Sequence, residues 1–525
     1  MPFVFAGSLE TVCFLTNAIE TSSLTSHAPI HIFGDDDFHE WPGKGTFEDP
    51  YIIANLEIKT ELYGAVSGIK VEYTTSHFLI ENCVITGVGP RHGGIFFGNV
   101  QNGVARNNTI SNSTRGFLIY NQSSNNLFEQ NAVSDTDIGF FLNIGPFNNT
   151  FVRNIASQSL DSPFLIVAST QNHFEANTGK SSSAGIRLDN SHNNTIVQNI
   201  FTDNNHGVSV HGSSAHNQFI NNRIVNNGYT GISEYEEASH NSYVGNKIWS
   251  NGVDGIRCEG TTHTLVEGNG IQGSLSRGVF LQEVVNTSVI QNSFSENKVG
   301  LYVGSSLSTT IAMNQFHENI NSGVSLWNTT DIILRNNSVK ETFGEGMQIS
   351  DSRNGTVRFN EIQGNQLIGV KCTNVQSMII SNNNITLTGS YGLFLQNSSN
   401  VVAFLNSFIS NNGGSKQAYS DINGNLWSNG TFGNYWSDFA TTPPATNSTI
   451  TVYNTSYIIA GVGEDPHPLT HEWVNYILSK SSNQSFGTSN TGSSSSEEEI
   501  TNISYPTVLF GLVIIILFQK RRKNP

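Results

Sequence analysis

The sequence predicts an all-β solenoid, a right-handed, single-stranded parallel β-helix of about fifteen coils. Three observations predict it: a glycine marker, an asparagine marker and a strand-type alternation, all recurring with one period. The glycine opens a Gly-apolar-any-apolar pattern and recurs from Gly68 and Gly94 through Gly185, Gly207, Gly231, Gly255 and Gly278 to Gly392; one coil has Pro163-Phe164 in its place. The asparagine, two residues before a usually apolar one, recurs from Asn82 through Asn199, Asn222, Asn246, Asn269 and Asn292 to Asn406. Fourteen steps between positions 82 and 406 give a period of about 23 residues, inside the window of repeat architectures.

Within a period the apolar residues alternate, as in Gly-Ile-Arg-Leu-Asp (185–189), and no dozen residues hold helical spacing. Two or three short strands with Asn, Ser and Gly turns fit into such a length, and a helix pair does not. Asparagines at one place per coil can stack and hydrogen-bond along the axis, satisfying polar groups that a tight turn buries. The glycine is read as the place where the chain bends without a Cβ.

The other elements follow in chain order. Residues 1–28 form a poorly defined N-terminal segment with no Lys or Arg before Lys44, so a conventional signal peptide is not visible. Residues 29–67 are read as an N-terminal cap. Its acidic run Asp35-Asp36-Asp37 with His39 and Glu40 is a candidate Ca²⁺ loop, weighed against a solvated cap loop. The repeats occupy 68–412. Residues 413–475 hold Trp427, Trp436 and Tyr457 and read as a C-terminal cap, since aromatics suit a lid over an open core. A Ser/Asn/Thr-rich linker (476–504) leads to an apolar stretch (505–519) read as a transmembrane anchor, and a basic tail (520–525) places the C-terminus in the cytoplasm and the solenoid outside the cell.

The chain of 525 residues has 13% charged residues and a formal charge of -16. Lys and Arg cluster only in the tail, which excludes nucleic acid as a partner. Four scattered cysteines, Cys13, Cys83, Cys258 and Cys372, form neither a zinc motif nor a disulfide framework. Asn-x-Ser/Thr sequons permit glycosylation without arguing for it.

The second and fourth residues after each glycine should point outward. On coils six to nine these columns bring together Arg187, Asp189, His211, Tyr235, Arg257 and Glu259, followed by Gln282. Arg187, Tyr235, Arg257 and Gln282 are the candidate ligand-binding residues, and Asp189, His211, Glu236 and Glu259 the candidate catalytic ones. Carboxylates one or two coils apart fall in the range glycosidases use; a solvated polar stripe is the plainer alternative. Glu234 has inward phase, and a β-bulge is expected to turn Glu234-Tyr235-Glu236-Glu237 outward. A carboxylate truly buried there would instead have a raised pKa and be a general-acid candidate. His216, His240 and His263 share one turn position and form a candidate metal column. Phe96, Leu118, Phe141 and Leu165 make an outward apolar stripe, expected to lie under the first 30 residues.

These repeats, with Gly-Thr-Phe-Glu-Asp-Pro-Tyr-Ile-Ile (45–53) before them and Gly-Asn-Tyr-Trp-Ser-Asp-Phe (433–439) after, resemble archaeal surface proteins with NosD-type β-helix domains, over roughly residues 29–470. The resemblance implies the fold strongly and the activity weakly. It also suggests copper for the histidine column. The motifs of polygalacturonases are missing, and Asp465-Pro466-His467 matches only part of the Asp-Pro-His-Glu of alginate epimerases. The leading expectation is a membrane-anchored extracellular protein that binds polysaccharide or another cell-envelope glycan. Alternatives are a polysaccharide lyase, hydrolase or epimerase on the same face, a NosD-like copper-handling accessory protein, and a structural stalk or adhesin.

Overall fold

The computed structural model describes residues 23–62, 65–439 and 451–472. Most coils carry three parallel strands on three faces; in three coils the second and third run on as one strand, as in Thr109–Tyr120, Ala132–Asn143 and Ile155–Val167. In a coil with all three separate they are Thr195–Val197, Ile200–Thr202 and His206–His211, each paired in register with the next coil at Gln218–Ile220, Arg223–Val225 and Thr230–Glu234. The two short strands each bury their middle residue, Ile196 and Phe201, and the longer third strand buries Val208 and Val210. The inward residues therefore form one core along the axis.

The first face has sixteen strands, from Tyr51–Ala54 to Val402–Phe404, so the solenoid has about sixteen coils and extends roughly 75 Å at the spacing of paired strands. The expected cap supplies the extra coil. Ile30–Phe33 pairs with the strand at Ile69, Tyr51–Ala54 with Phe78–Glu81, and Leu56–Lys59 with Val84–Thr86. A lid remains beneath this first coil, where Phe38 is fully buried and stacks on Tyr51 at 4.8 Å.

Both sequence markers acquire a more specific meaning. Most repeat glycines do not make bends but lie within the third strands, as Gly255 does in Asp254–Glu259; Gly68, Gly94, Gly369 and Gly392 stand one place before theirs, where the chain does bend. A Cβ on Gly255 would stand 2.5 Å from the Gly278 carbonyl oxygen and 2.7 Å from Ile271 Cγ2, so close approach of successive coils requires the glycine. The bends are made mainly by other residues in the left-handed region, such as Gln198, Asn221 and Gln291. The asparagine ladder starts one coil later than expected. Asn82 stands beside it, Cys83 occupies the place, and the Cys83 amide donates to Asn108 Oδ1. From Asn108 the ladder runs unbroken to Asn406 and then enters the cap at Asn434.

Two further ladders flank the first. Asn126, Asn149, Asn172, Asn194, Asn217 and Asn241 stack in the preceding turn, and Asn204, Asn227 and Asn251 in the following one. In the core, Phe117, Phe140 and Phe164 stack at 4.6 and 5.1 Å, with Phe128, Phe151 and Phe174 in a parallel stack at 4.7 and 4.6 Å.

The apolar stripe is sheltered by its own neighbourhood. Leu118 and Leu165 are buried, while Lys70 stands over the Phe96 ring and Arg115 over the Phe141 ring. The described part of the N-terminal segment pairs elsewhere, Thr25–Ser26 against Leu56–Glu57; residues 1–22 lie outside the described residues. At the other end Trp436 stacks between Phe408 (4.5 Å) and Tyr457 (4.2 Å), closing the last coil. Among the described residues no helix is long and apolar enough to cross a membrane. The linker, the anchor at 505–519 and the basic tail lie outside the described residues.

Candidate functional site

The third-strand face between residues 184 and 304 brings most of the sequence-selected residues together. Register places Arg187, Ser209, Ser233, Arg257, Phe280 and Tyr302 in one column. Asp189 and His211 pair in the neighbouring column, which resumes as Glu259, Gln282, Gly304 and Trp327. Arg187 binds Asp189 at 2.9 Å and approaches Asp161 at 3.9 Å. Ser209 Oγ meets His211 Nε2 at 2.7 Å, and the His211 ring lies 5.6 Å from that of Tyr235. Burial, with Arg187 nearby, lowers the His211 pKa and favours the neutral imidazole.

Asp254 is the residue that sequence reasoning missed. Its side chain is fully buried, accepting from Arg257 Nη1 at 3.0 Å and from the Arg277 amide at 3.2 Å. Burial raises its pKa, against the pull of Arg277 and Arg257. Arg257 also binds Glu259 and lies with Arg277 over the Phe280 ring, each 4.3 Å from its centroid. The signal was available one place before the repeat glycine, where Ala184, His206, Thr230, Asp254 and Arg277 succeed one another; attention to positions after the glycine passed over it.

The expected bulge is corrected. Glu234 points inward, in register with Val210 and Cys258, and is fully buried. The extra residue of this coil is absorbed later, where Glu236 and Glu237 are both left-handed at φ 60° and 66°. Asn241 Nδ2 donates to Glu234 Oε1 at 2.8 Å, and Thr264 Oγ1 to Oε2 at 3.1 Å. The next residue in Asn241's column is Thr264, which has no amide oxygen, so Glu234 accepts the last amide of that ladder. Burial raises the Glu234 pKa. The buried Tyr243 hydroxyl adds to the polar surroundings without a hydrogen bond of ordinary geometry.

Glu236 is exposed, and its Oε2 is 3.4 Å from the Gly212 amide. Asp189 and Glu259 lie three coils apart, roughly 14 Å, too far for a glycosidase pair. His216, His240 and His263 do form a column, with ring centroids 4.8 and 4.4 Å apart and interplanar angles of 28° and 5°. Burial and the two flanking rings lower the His240 pKa. In the cap, Asp35 accepts from Thr74 and Asp37 accepts from the Phe33 amide, so both carboxylates close the loop. Among the described residues, a convergent trio of ligand-type atoms occurs elsewhere, at exposed His317, Glu318 and Glu341.

The family model for NosD, described as periplasmic copper-binding protein, matches residues 53–231, 152–299, 223–332 and 286–441, which together cover most of the chain. The chain belongs to the NosD family. The matched stretches of this NosD chain include all the coils that carry the face and the histidine column. No curated protein is significantly similar to it. Similar solved structures include the mannuronan C-5 epimerase AlgE4 A-module of Azotobacter vinelandii, at 13% identity over 67% of this chain and 94% of that one, with a TM-score of 0.34. The surface adhesin PfbA of Streptococcus pneumoniae matches at 10% identity over 64% and 85%, with a TM-score of 0.32. The catalytic unit of a thermostable α-1,3-glucanase from Streptomyces thermodiastaticus matches at 13% identity over 80% and 71%, with a TM-score of 0.28.

Proposed function

We propose that this NosD-family solenoid is an extracellular module that binds cell-envelope polysaccharide on the face from Arg187 to Gln282. One observation carries the reading: partly exposed Arg187, Asp189, His211, Arg257, Glu259 and Tyr302 are each held by a neighbour in their own or the next coil, over a base of buried Ser209, Ser233 and Phe280. Such a surface offers preorganised donors and acceptors at low ordering cost. The same pairing speaks against turnover. Arg257 holds both Asp254 and Glu259, Arg187 holds Asp189, and Glu236 stands in a turn outside the column. No carboxylate pair is left in an acid and base arrangement on this face.

The family description raises copper, and the described residues do not fit cuprous ion. The three stacked histidines line up their rings along the axis, so no one point lies within reach of all three. Cys83, Cys258 and Cys372 are buried. The exposed trio at His317 offers one imidazole and two carboxylates, a donor set that suits cupric and not cuprous ion. The stretch at 505–519 supports single-pass anchoring, with the C-terminal tail cytoplasmic; ending the chain before residue 476 should move it from the membrane fraction to the soluble one.

The test of the binding reading is retention on immobilised polysaccharides, with release of shortened or unsaturated products followed in parallel. Arg187→Ala should lower retention on the preferred polymer about tenfold while the melting temperature changes little, whereas Arg257→Ala should lower both, because it leaves the buried Asp254 carboxylate without one of its guanidiniums. Product formation would instead establish an enzyme, and retention unchanged by Arg187→Ala and Arg257→Ala would move the site elsewhere.

A further inference from the structure

The face does not end at Gln282. Two coils on, Trp327 occupies the same column and is 45% exposed. Its neighbours there are Gly304 on one side and Ser350 on the other, so no bulky side chain in its own column covers the indole. It is nonetheless fixed: Nε1 donates to Asp351 Oδ2 at 3.1 Å. Asp351 in turn accepts from Asn374 Nδ2 at 2.9 Å, Asn374 accepts from Asn397 Nδ2 at 2.7 Å, and the Asn397 amide donates to Asp421 at 2.8 Å. Asn328, Asp351, Asn374 and Asn397 are all exposed and all left-handed, with φ between 48° and 55°. The three buried asparagine ladders serve the fold. This fourth, exposed row satisfies no buried turn, and it runs along the axis from an exposed, immobilised indole.

We infer that Trp327 and the row Asn328, Asp351, Asn374 and Asn397 form a subsite for a neutral, hydroxyl-rich glycan lying parallel to the axis. The inference rests on the glycan-binding reading and names the class of glycan. An aromatic plate fits the C–H face of a hexose, and amides beside it fit its hydroxyls as both donors and acceptors. Successive coils present one polar side chain every ~4.8 Å, close to the length of one sugar unit in an extended polymer.

Charge selects against polyuronates. The row contains no cation, and Arg353, two residues after Asp351, stands in a different column, in register with Thr330 and Gln376. On the wider face Arg187, Arg257, Arg277 and Lys371 are each paired with at least one of Asp161, Asp189, Asp254, Glu259 and Glu345. A uronate would have to displace a protein carboxylate from its guanidinium, against the field of a chain with a net charge of -16.

The experiment is affinity electrophoresis of the full chain through gels containing laminarin, mannan or dextran as neutral probes, and polygalacturonate or alginate as acidic ones, with and without EDTA. The expected result is retardation by at least one neutral polymer, unaffected by EDTA. Trp327→Ala should weaken it about tenfold, Asn374→Ala severalfold, and Arg353→Ala not at all, with unchanged melting temperatures. Retardation by the acidic polymers alone, or loss on Arg353→Ala with Trp327→Ala silent, would overturn the inference and leave the binding reading standing. Retardation by no polymer would sink both.

Discussion

Glu234 shows how one buried side chain can look catalytic and be structural. Its carboxyl ends a column of amides, and its raised pKa follows from burial before any other cause. Between the ordinary glutamate value of about 4.3 and the higher folded value, the unfolded chain has lost a proton that the folded chain keeps, so this group's contribution to stability falls as pH rises through that window. Glu234→Gln cannot ionise and still offers an oxygen to Asn241. Thermal melts should therefore show the variant more stable than the parent at pH 7, with the gap closing towards pH 4; a gap that widens on acidification would refute the assignment. Glu234→Ala should cost about 2–4 kcal/mol, from a cavity and an orphaned Asn241 N–H, measured by denaturant unfolding. The inward phase of Glu234 was legible in the alternation of the sequence. The expected bulge was not, because two consecutive left-handed residues at Glu236 and Glu237 can absorb an extra residue after the strand as readily as a bulge absorbs it within.

Elements here are bound by two devices, the ladders and the close coil contact at glycine. Asn269 accepts from the amide and side chain of Asn246 and donates to Tyr243 O and Asn292 Oδ1, so its hydrogen bonds span neighbouring coils on both sides. Asn269→Ala should cost about 3 kcal/mol or more, since each buried partner left unsatisfied costs about 1–3 kcal/mol. Gly255→Ala should cost about 1–3 kcal/mol by overpacking against the Gly278 carbonyl. An alanine tolerated there would mean the coils can move apart, visible as a shift in strand spacing. One asparagine ladder was readable because its spacing holds from Asn108 to Asn406. The flanking two were hidden because Thr264 succeeds Asn241 in one and Ser274 succeeds Asn251 in the other, so no single residue type marks those columns.

For the molecule as a whole, period and strand content specified the coil count to within one, since the first coil lacks both markers and was read as a cap. The columns after each glycine located Arg187, Asp189, His211 and Arg257 on one face; what pairs with what, and hence the neutralised guanidiniums, depends on side-chain geometry that spacing does not encode. Because each coil touches only its neighbours, stability is local. Trp436→Ala, which removes the stacks on Phe408 and Tyr457, should speed amide hydrogen exchange in the coils nearest residues 402–409 while coils around residue 200 stay protected. Equal acceleration throughout would show a cooperative unit longer than a coil. The parallel pairing also has a mechanical reading. Its backbone hydrogen bonds lie along the axis, so a pull on the two ends loads them one coil at a time, as in a zipper, instead of shearing many together. Each coil that peels away frees about 23 residues, or ~80 Å of extended chain. A tethered molecule of this design would lengthen in equal, low-force steps, acting as a shock absorber between whatever its two ends hold.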